Sequence, residues 1–487
     1  MSELSKQAGM LSGTEFFRFF VKSIIGIALA RLISPAELGS YRQLFLIYTT
    51  LSTILLLGIP QSLLYFLPRS SSIEEQKRLI SRTLNIVAAL AIVCQVVIIL
   101  SRLFIADKFH NPALASLLLV FGFYPLFIFV TQLYSSIMLG MKQPLAAAKF
   151  TIFAIGADFI LILGTALITK SVKLIVWAVL VSSFLQWLYV SINLRHFVAK
   201  SSQGLFVGFQ SQLNYCIPLG LSSIIGILGV QLDKFMISGF FTPEQFAIFS
   251  VGAMELPFIG ILANSVNSIL LPQLSSNNVE AMSELYKGAV RKNALIVFPM
   301  AALFYIFAEP IIIFLYGIQY SEASLYFRIY LMVLPLRIAT YGIIFQAFGK
   351  TKAILINALF MLSANAVMNY FFIQAMGMKG AAYATVLVTW LSVGLYLVMM
   401  KSSLHLKLRE FFPFSKVLRT ALVTLLASAA CIPLSRAFSM DLLNMFVGGL
   451  VFMTVYYILG RLLGAILPYD VELGRSFVKD ALSKVFK

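Results

Sequence analysis

Four basic side chains lie inside stretches of the chain that are otherwise apolar. Arg337 is the most central, about eleven residues into a stretch of about 22. Arg18 and Lys22 are four residues apart, so a helix places them on one face. Lys149 lies about one turn inside its own stretch. A cation inside such a stretch usually faces a cavity or an acidic partner.

These positions favour the binding of an anionic ligand. A guanidinium donates to phosphate oxygens from two nitrogens, which suits Arg337 to a diphosphate or an acidic sugar. Arg18 and Lys22 would form a basic entrance for that ligand, and Lys149 would also contact it. The alternative for Arg337 is an ion pair with an acid on another helix. For the other three, the alternative is a side chain that reaches out to lipid headgroups.

Acidic side chains inside apolar stretches suggest a second role. Asp158 lies in the middle of its stretch, and Glu255 lies inside another. One hypothesis is that Asp158 or Glu255 binds H⁺ or Na⁺ and couples the protein to an ion gradient. The alternative is a structural partner for an arginine or lysine. The sequence shows no paired catalytic residues and no cluster of metal ligands, so we predict no catalytic residue, no metal and no cofactor.

The composition indicates the element that holds these residues. The 487 residues are 60% hydrophobic and 11% charged, and the mean hydropathy is +0.92. Soluble domains contain roughly 25% charged residues, so a soluble fold is excluded. The net charge of +18 lies mostly in short loops between apolar stretches, which is typical of contact with lipid headgroups and not with nucleic acid.

Windows of about 20 apolar residues predict about fourteen membrane-spanning helices. The predicted spans are 14–33, 43–67, 83–104, 114–139, 144–168, 173–194, 213–240, 245–271, 293–316, 326–348, 353–376, 380–400, 420–438 and 442–464. With both termini in the cytoplasm, 23 of the 37 lysines and arginines fall in cytoplasmic loops and 10, including Arg42 and Lys234, in outer loops. The protein is therefore predicted to be a multi-pass membrane protein with cytoplasmic termini.

A repeat divides the predicted spans into two sets of six. Residues 32–41 match residues 240–249 at an offset of 208, and residues 125–128 match 335–338 at an offset of 210. Residues 140–143 match 349–352 at an offset of 209. Since six is even, both sets have the same orientation, which predicts a parallel repeat. The predicted domains are an N-terminal bundle (1–200), a second bundle (201–403), and a basic linker with two further helices and a tail (404–487).

Three segments carry a family resemblance. "ALARLISPAELGSYRQLF", "LDKFMISGFFTPEQFAIFSVG" and "GKTKAILINALF" with the following "NAVMNYFFIQAMGMKGAAYATVL" resemble the polysaccharide-export flippases. These belong to the multidrug/oligosaccharidyl-lipid/polysaccharide exporter superfamily. The resemblance implies an all-α fold in which two six-helix bundles face a central cavity, often with an extra C-terminal helix pair. It extends over essentially the whole chain.

The resemblance also implies a function and its partners. We expect a flippase that moves an undecaprenyl-diphosphate-linked oligosaccharide from the inner to the outer leaflet of the bacterial cytoplasmic membrane, by alternating access. Its partners would be that lipid, membrane lipids, H⁺ or Na⁺, and a polysaccharide polymerase, but no nucleic acid. One alternative is an ion-coupled multidrug or cation antiporter of the same superfamily. Another is a membrane glycan polymerase or ligase, although no large outer loop is predicted to carry such chemistry.

Overall fold

The structure is a computed structural model, and it describes residues 3–197, 209–254, 279–404, 408–436 and 441–472. These residues form helices, short 3₁₀ and π turns and no β-strand, which confirms the all-α prediction. Their contacts divide the chain into two compact units, 1–250 and 251–487. The domain boundaries at 200 and 403 remain predictions.

The first unit contains ten helices and most of an eleventh within the described residues. They are α1 (Glu3–Leu32), α2 (Pro35–Leu56), α3 (Ile59–Phe66), α4 (Ile73–Lys108), α5 (Pro112–Phe121), α6 (Tyr124–Gly140), α7 (Pro144–Asp158), α8 (Gly164–Thr169), α9 (Val172–Leu194), α10 (Phe209–Phe240) and α11 (Pro243–Gly252). A π-helical turn, Phe159–Leu163, connects α7 to α8.

The second unit continues from α11 with nine further helices within the described residues. They are α12 (Val279–Ile306), α13 (Ala308–Tyr316), α14 (Ala323–Leu331), α15 (Gly342–Ala347), α16 (Lys352–Met376), α17 (Met378–Ser403), α18 (Leu408–Phe411), α19 (Phe414–Cys431) and α20 (Asp441–Leu462). A 3₁₀ segment, Leu334–Ile338, lies between α14 and α15.

Nine helices of the described residues are long and apolar enough to span a membrane, or up to twelve if each bent pair is one span. The predicted count of fourteen is not confirmed. Helix α1 is not one of these spans, because charged residues occur along its whole length. The other missing span, 245–271, lies mostly outside the described residues. The protein is nevertheless a multi-pass membrane protein.

Prolines mark the bends in three spans. The α2–α3, α5–α6 and α14–α15 pairs bend by 44°, 53° and 41°. Pro60, Pro125 and Pro335 lie within the first two positions of the helical segment after each break. Proline lacks the amide proton that would continue the helix, which explains why the spans break at these positions.

Two amphipathic segments are continuous with the long helices that follow them. Residues 73–80 and 279–290 have the amphipathic spacing of helices that lie on a membrane surface, but they are the first turns of α4 and α12. No proline interrupts either helix at the junction. The hydrogen-bonded ladder therefore continues into the apolar part of the helix.

The two matching repeat segments begin helices in the same way. Ser34 caps α2, and Glu37 bonds back to the Ser34 amide, which completes a capping box. Before α11, Thr242 and Gln245 make the same reciprocal bonds. Serine or threonine at the cap with glutamate or glutamine three residues later is the known signature of this motif. The repeat therefore fixes the start of both helices.

Helices α2 and α11 approach each other closely at Gly39. A Cβ atom at this position would lie 1.8 Å from the carbonyl oxygen of Pro243. Only a residue without a side chain fits there. This contact holds the first turn of α11 against α2 and brings the polar residues that follow Gly39 and Pro243 together.

In the second unit, the C-terminal helices pack on α12. Phe307, Val423, Cys431 and Phe452 form a buried cluster between them. The Tyr456 hydroxyl donates to the carbonyl of Leu295 at 3.0 Å.

Candidate substrate cavity

The first unit encloses a cavity of about 400 Å³. One face of α1 lines it with residues at the spacing of i, i+3, i+4 and i+7, and one face of α2 lines the opposite part. The lining residues are Lys22, Ile25, Gly26, Leu29, Tyr41, Arg42, Phe45, Leu46, Thr49, Tyr124, Asp158, Ile162, Val179, Gln231, Lys234, Phe246 and Ser250. The wall is therefore mostly apolar, with a few convergent polar groups, as in small-molecule sites.

Three cations lie on this wall. Lys22 comes from α1, Arg42 from α2 and Lys234 from α10. Arg42 donates through Nη1 to the Ser250 hydroxyl at 2.7 Å, and Ser250 in turn donates to the carbonyl of Ala247 at 3.0 Å. The cavity thus carries two more basic than acidic side chains, which favours an anionic ligand.

Asp158 is the acidic residue on the wall, and its partners fix its orientation. Its Oδ1 accepts hydrogen bonds from the Ser182 hydroxyl at 2.6 Å and from Gln186 Nε2 at 2.9 Å. Ser182 and Gln186 lie one turn apart on α9 and are buried. Lys22 and Asp158 also interact electrostatically. The carboxyl group is therefore fixed by two hydrogen bonds, and Lys22 lies on the same cavity wall.

Asp158 is the last residue of α7, directly before the π-helical turn Phe159–Leu163. Turns of this kind are rare and are often found at functional sites. The wider turn is followed by α8, and Ile162 within it also lines the cavity. The local backbone at Asp158 is thus irregular where the rest of the helix is regular.

Polar groups without charge complete the wall. Gln231 Oε1 is buried, and no hydrogen-bond donor within the described residues reaches it. A hydroxyl group of a bound ligand would satisfy this oxygen. Phe45 lies edge-on to Tyr124, with ring centroids 5.9 Å apart, and Tyr41 packs on Phe45 at 5.0 Å. These rings give the cavity a rigid aromatic side.

The structure places the other predicted N-terminal residues outside this cavity lining. Arg18 is exposed on α1 and forms an ion pair with Glu15. Lys149 is exposed near the start of α7 and lines a second, open cavity. Of the four residues predicted to bind the ligand, Lys22 alone lines the cavity that also holds Asp158.

Arg337 belongs to the second unit. It lies exposed on the 3₁₀ segment Leu334–Ile338, at the bend between α14 and α15. The sequence window treats this region as one continuous span, whereas Pro335 breaks it. Glu255 lies outside the described residues.

The sequence-based site prediction missed Arg42, which precedes the predicted span 43–67, and Lys234, which lies toward the outer end of the predicted span 213–240. Arg42 follows the matched segment 32–41 directly, and its partner Ser250 follows the segment 240–249. The two matched segments were therefore the signal that could have identified this pair, because Arg42 and Ser250 follow them at equivalent positions.

The fold and the cavity define a class of protein, a multi-pass membrane protein with a partly basic cavity in its first unit. A family model described as "polysaccharide biosynthesis protein" matches residues 28–325, and the chain belongs to this family. The resemblance to the polysaccharide flippases is thereby confirmed.

Three relatives illustrate the similarity. A solved structure of the lipid II flippase MurJ in an inward closed conformation has a TM-score of 0.74 and 18% identity, over 93% of this chain and 98% of that one. A multidrug resistance MATE family transporter of the MOP superfamily, in an inward-facing conformation, has a TM-score of 0.66 and 16% identity, over 80% and 95%. A protein of the Lsg locus of Haemophilus influenzae is 24% identical over 247 residues, which is 48% of this chain. The match covers 61% of that relative's length.

Proposed function

We propose that this protein is a flippase for an undecaprenyl-diphosphate-linked oligosaccharide. It would move this lipid from the inner to the outer leaflet of the bacterial cytoplasmic membrane for the synthesis of a cell-surface polysaccharide. The family match and the transporter fold support this class of function. The observation that carries the choice of substrate is the cavity with Lys22, Arg42 and Lys234 on its wall.

The chemistry of the cavity matches the polar part of such a lipid. A diphosphate carries several negative charges and oxygen acceptors, and the three cations supply donors from three different helices. The buried Gln231 Oε1 accepts from a hydroxyl, which every sugar carries. The aromatic side of Tyr41, Phe45 and Tyr124 provides an apolar face for the sugar ring.

The lipid tail would remain in the bilayer during transport. Each methylene group moved into water costs roughly 0.8 kcal/mol, so a long polyprenyl chain would make extraction prohibitive. The protein therefore needs to enclose only the diphosphate and the glycan. Alternating access, in which the two repeats open first to one leaflet and then to the other, performs this with no covalent step.

Asp158 is the proposed coupling residue in this cycle. When ionised, it balances the charge of Lys22. When it binds H⁺ or Na⁺, Lys22 is left without that balance, and the cavity attracts the diphosphate more strongly. Glu255, the other residue predicted for this role, stays a prediction because it lies outside the described residues.

A proteoliposome assay tests the proposed function. Purified protein would be reconstituted with a fluorescent lipid-diphosphate oligosaccharide, and an impermeant glycan-modifying reagent would be added outside. The proposal predicts that inner-leaflet substrate becomes accessible at a rate well above that of empty liposomes. Exchange of a small cation against H⁺ or Na⁺, without movement of the glycolipid, would instead identify the antiporter. Extension or transfer of the glycan would identify a polymerase or ligase.

A further inference from the structure

The turn between α6 and α7 contains a lysine in a conformation that usually requires glycine. Lys142 has φ of +59°, in the left-handed region. The Lys142 amide donates to the carbonyl of Leu139, three residues back, at 3.0 Å. The Gln143 amide donates to the carbonyl of Met138, five residues back, at 2.7 Å. This is the hydrogen-bond pattern of a helix C-terminal cap, in which the left-handed residue is most often glycine.

The second half of the chain contains the same turn with glycine. Gly349, between α15 and α16, has φ of +66°, and its amide donates three residues back at 3.0 Å. The next amide, of Lys350, donates five residues back at 2.8 Å. By their hydrogen bonds, Lys142 therefore corresponds to Gly349, at an offset of 207. The sequence match at an offset of 209 instead aligns Gly140 with Gly349. One repeat uses the unstrained residue, and the other holds a lysine against its conformational preference.

The strained lysine lines the second cavity of the first unit. This cavity is open, has a volume of about 730 Å³, and is lined by Met10, Tyr134, Lys142, Gln143, Pro144, Leu145, Ala146, Lys149, Tyr189 and Asn193. Two of these residues are lysines and none is acidic. Amide and phenol groups stand beside the lysines, and the Tyr189 ring stacks on Phe153 with centroids 4.8 Å apart. The surroundings therefore favour an oxyanion.

The predicted orientation places this turn in the short cytoplasmic loop between the predicted spans 114–139 and 144–168, and therefore beside the inner leaflet. The oxyanions at that level are the phosphates of membrane lipids. We propose that Lys142 and Lys149 form a site for the phosphate headgroup of an inner-leaflet lipid. In a flippase, this site would hold the substrate diphosphate before it enters the cavity at Lys22. The inference rests on the proposed orientation and function, but the site is separate from the transport cavity.

The turn itself supplies a discriminating variant. Lys142→Gly removes the charge and relaxes the left-handed residue, so the unfolding temperature stays at or above that of the wild type. The full-length protein in detergent would be titrated with two probes, undecaprenyl diphosphate and phosphatidylglycerol, with bound lipid measured by native mass spectrometry. Lys142→Gly and Lys149→Gln are each expected to weaken binding of at least one probe by about tenfold, the value of one charge-assisted hydrogen bond. Lys350→Ala, in the matched turn of the second half, is the control and leaves binding unchanged.

The two probes distinguish the source of the phosphate. If the variants bind only undecaprenyl diphosphate more weakly, the site belongs to the substrate. If they bind phosphatidylglycerol more weakly, the site belongs to membrane phospholipid. Either result supports a headgroup site. Wild-type affinity of both variants for both probes overturns it. Wild-type protein that binds the probes but moves no glycolipid contradicts the proposed function and leaves the headgroup site standing.

Discussion

Arg42 donates to Ser250 at 2.7 Å, and these two residues occupy equivalent positions in the two repeats, 208 residues apart. Each residue follows its capping motif by the same number of positions. The polar contact thus joins α2 and α11 about two turns after the start of each helix, beside the cavity.

The Arg42–Ser250 bond is expected to contribute measurably to stability. Ser250 is 9% exposed, and hydrogen bonds to charged groups contribute about 1.5–3 kcal/mol. A double-mutant cycle with Arg42→Gln and Ser250→Ala, measured by chemical unfolding in detergent, should give a coupling energy of about 1–2 kcal/mol. Strict additivity of the two substitutions would show that the bond contributes nothing.

Gly39→Ala should strongly destabilise the first unit. The added methyl group would overlap the backbone of Pro243, and backbone cannot rotate away as a flexible side chain can. We expect a loss of at least about 2 kcal/mol of unfolding free energy. Gly156→Ala in α7 is the matched control, because nothing lies within 4 Å of the position that its Cβ would occupy and alanine is the better helix former. Equal stability of the two variants would contradict the close packing of α2 and α11.

Asp158→Asn tests the proposed coupling. The amide cannot ionise, so the balance between Asp158 and Lys22 is lost at every pH. We expect translocation in proteoliposomes to lose its response to an imposed H⁺ or Na⁺ gradient. Ser182→Ala, which removes one hydrogen bond but keeps the carboxylate, should retain the response. If translocation by the Asp158→Asn variant responds to each gradient as in the wild type, Asp158 is ruled out as the coupling residue.

Asp470 gives a pH-dependent prediction in the second unit. Arg291 binds this carboxylate through two hydrogen bonds, at 2.7 and 2.6 Å. Burial raises the pKa of Asp470, but hydrogen bonds from Arg291 and from the amide of Leu467, together with the charges of Arg291 and Lys292, outweigh it, so the pKa is lowered overall. A lowered folded-state pKa stabilises the protein above the usual carboxyl pKa, and the gain is lost as pH falls through the lowered value.

Asp470→Asn should therefore cost about 3 kcal/mol at pH 7, because Arg291 loses its counter-charge in a partly buried position. Unfolding measured across pH should show the difference from the wild type shrinking below about pH 4. A difference that stays constant down to about pH 2 would contradict the ion-pair explanation.

Arg337→Ala is expected to impair translocation without loss of folding. The side chain is exposed, so its removal should leave the unfolding temperature unchanged, whereas loss of a phosphate-binding cation should slow flipping by about tenfold or more. Lys379→Ala, also exposed in the second unit, is the control. Wild-type flipping by the Arg337→Ala variant would remove Arg337 from the proposed substrate path.

The sequence predicts those features that depend on local pattern. Apolar windows locate the spans, Pro60, Pro125 and Pro335 locate their breaks, and the repeat locates two matching helix starts. It cannot show which face of a span meets a cavity. For this reason Lys22 and Asp158 are identifiable from their depth in apolar stretches, whereas Arg42 and Lys234 lie near the ends of predicted spans and are counted with the outer cations.

Backbone conformation is equally hidden in the sequence. The π-helical turn after Asp158 has no sequence signature, because Phe159–Leu163 is an ordinary apolar run. The left-handed conformation of Lys142 is also unexpected, since the residue type favours a right-handed one. Its relation to Gly349 becomes visible only when the two turns are compared by their hydrogen bonds.

Substitution of Lys22 in the translocation assay shows whether the cavity cations bind the diphosphate of a lipid-linked glycan. Lys22→Gln removes the charge, Lys22→Arg keeps it, and Lys173→Gln removes an exposed lysine outside the cavity lining. We expect Lys22→Gln to slow glycolipid flipping by about tenfold or more, while Lys22→Arg and Lys173→Gln remain near the wild-type rate. A folded Lys22→Gln variant that flips as fast as the wild type would contradict diphosphate binding by these cations.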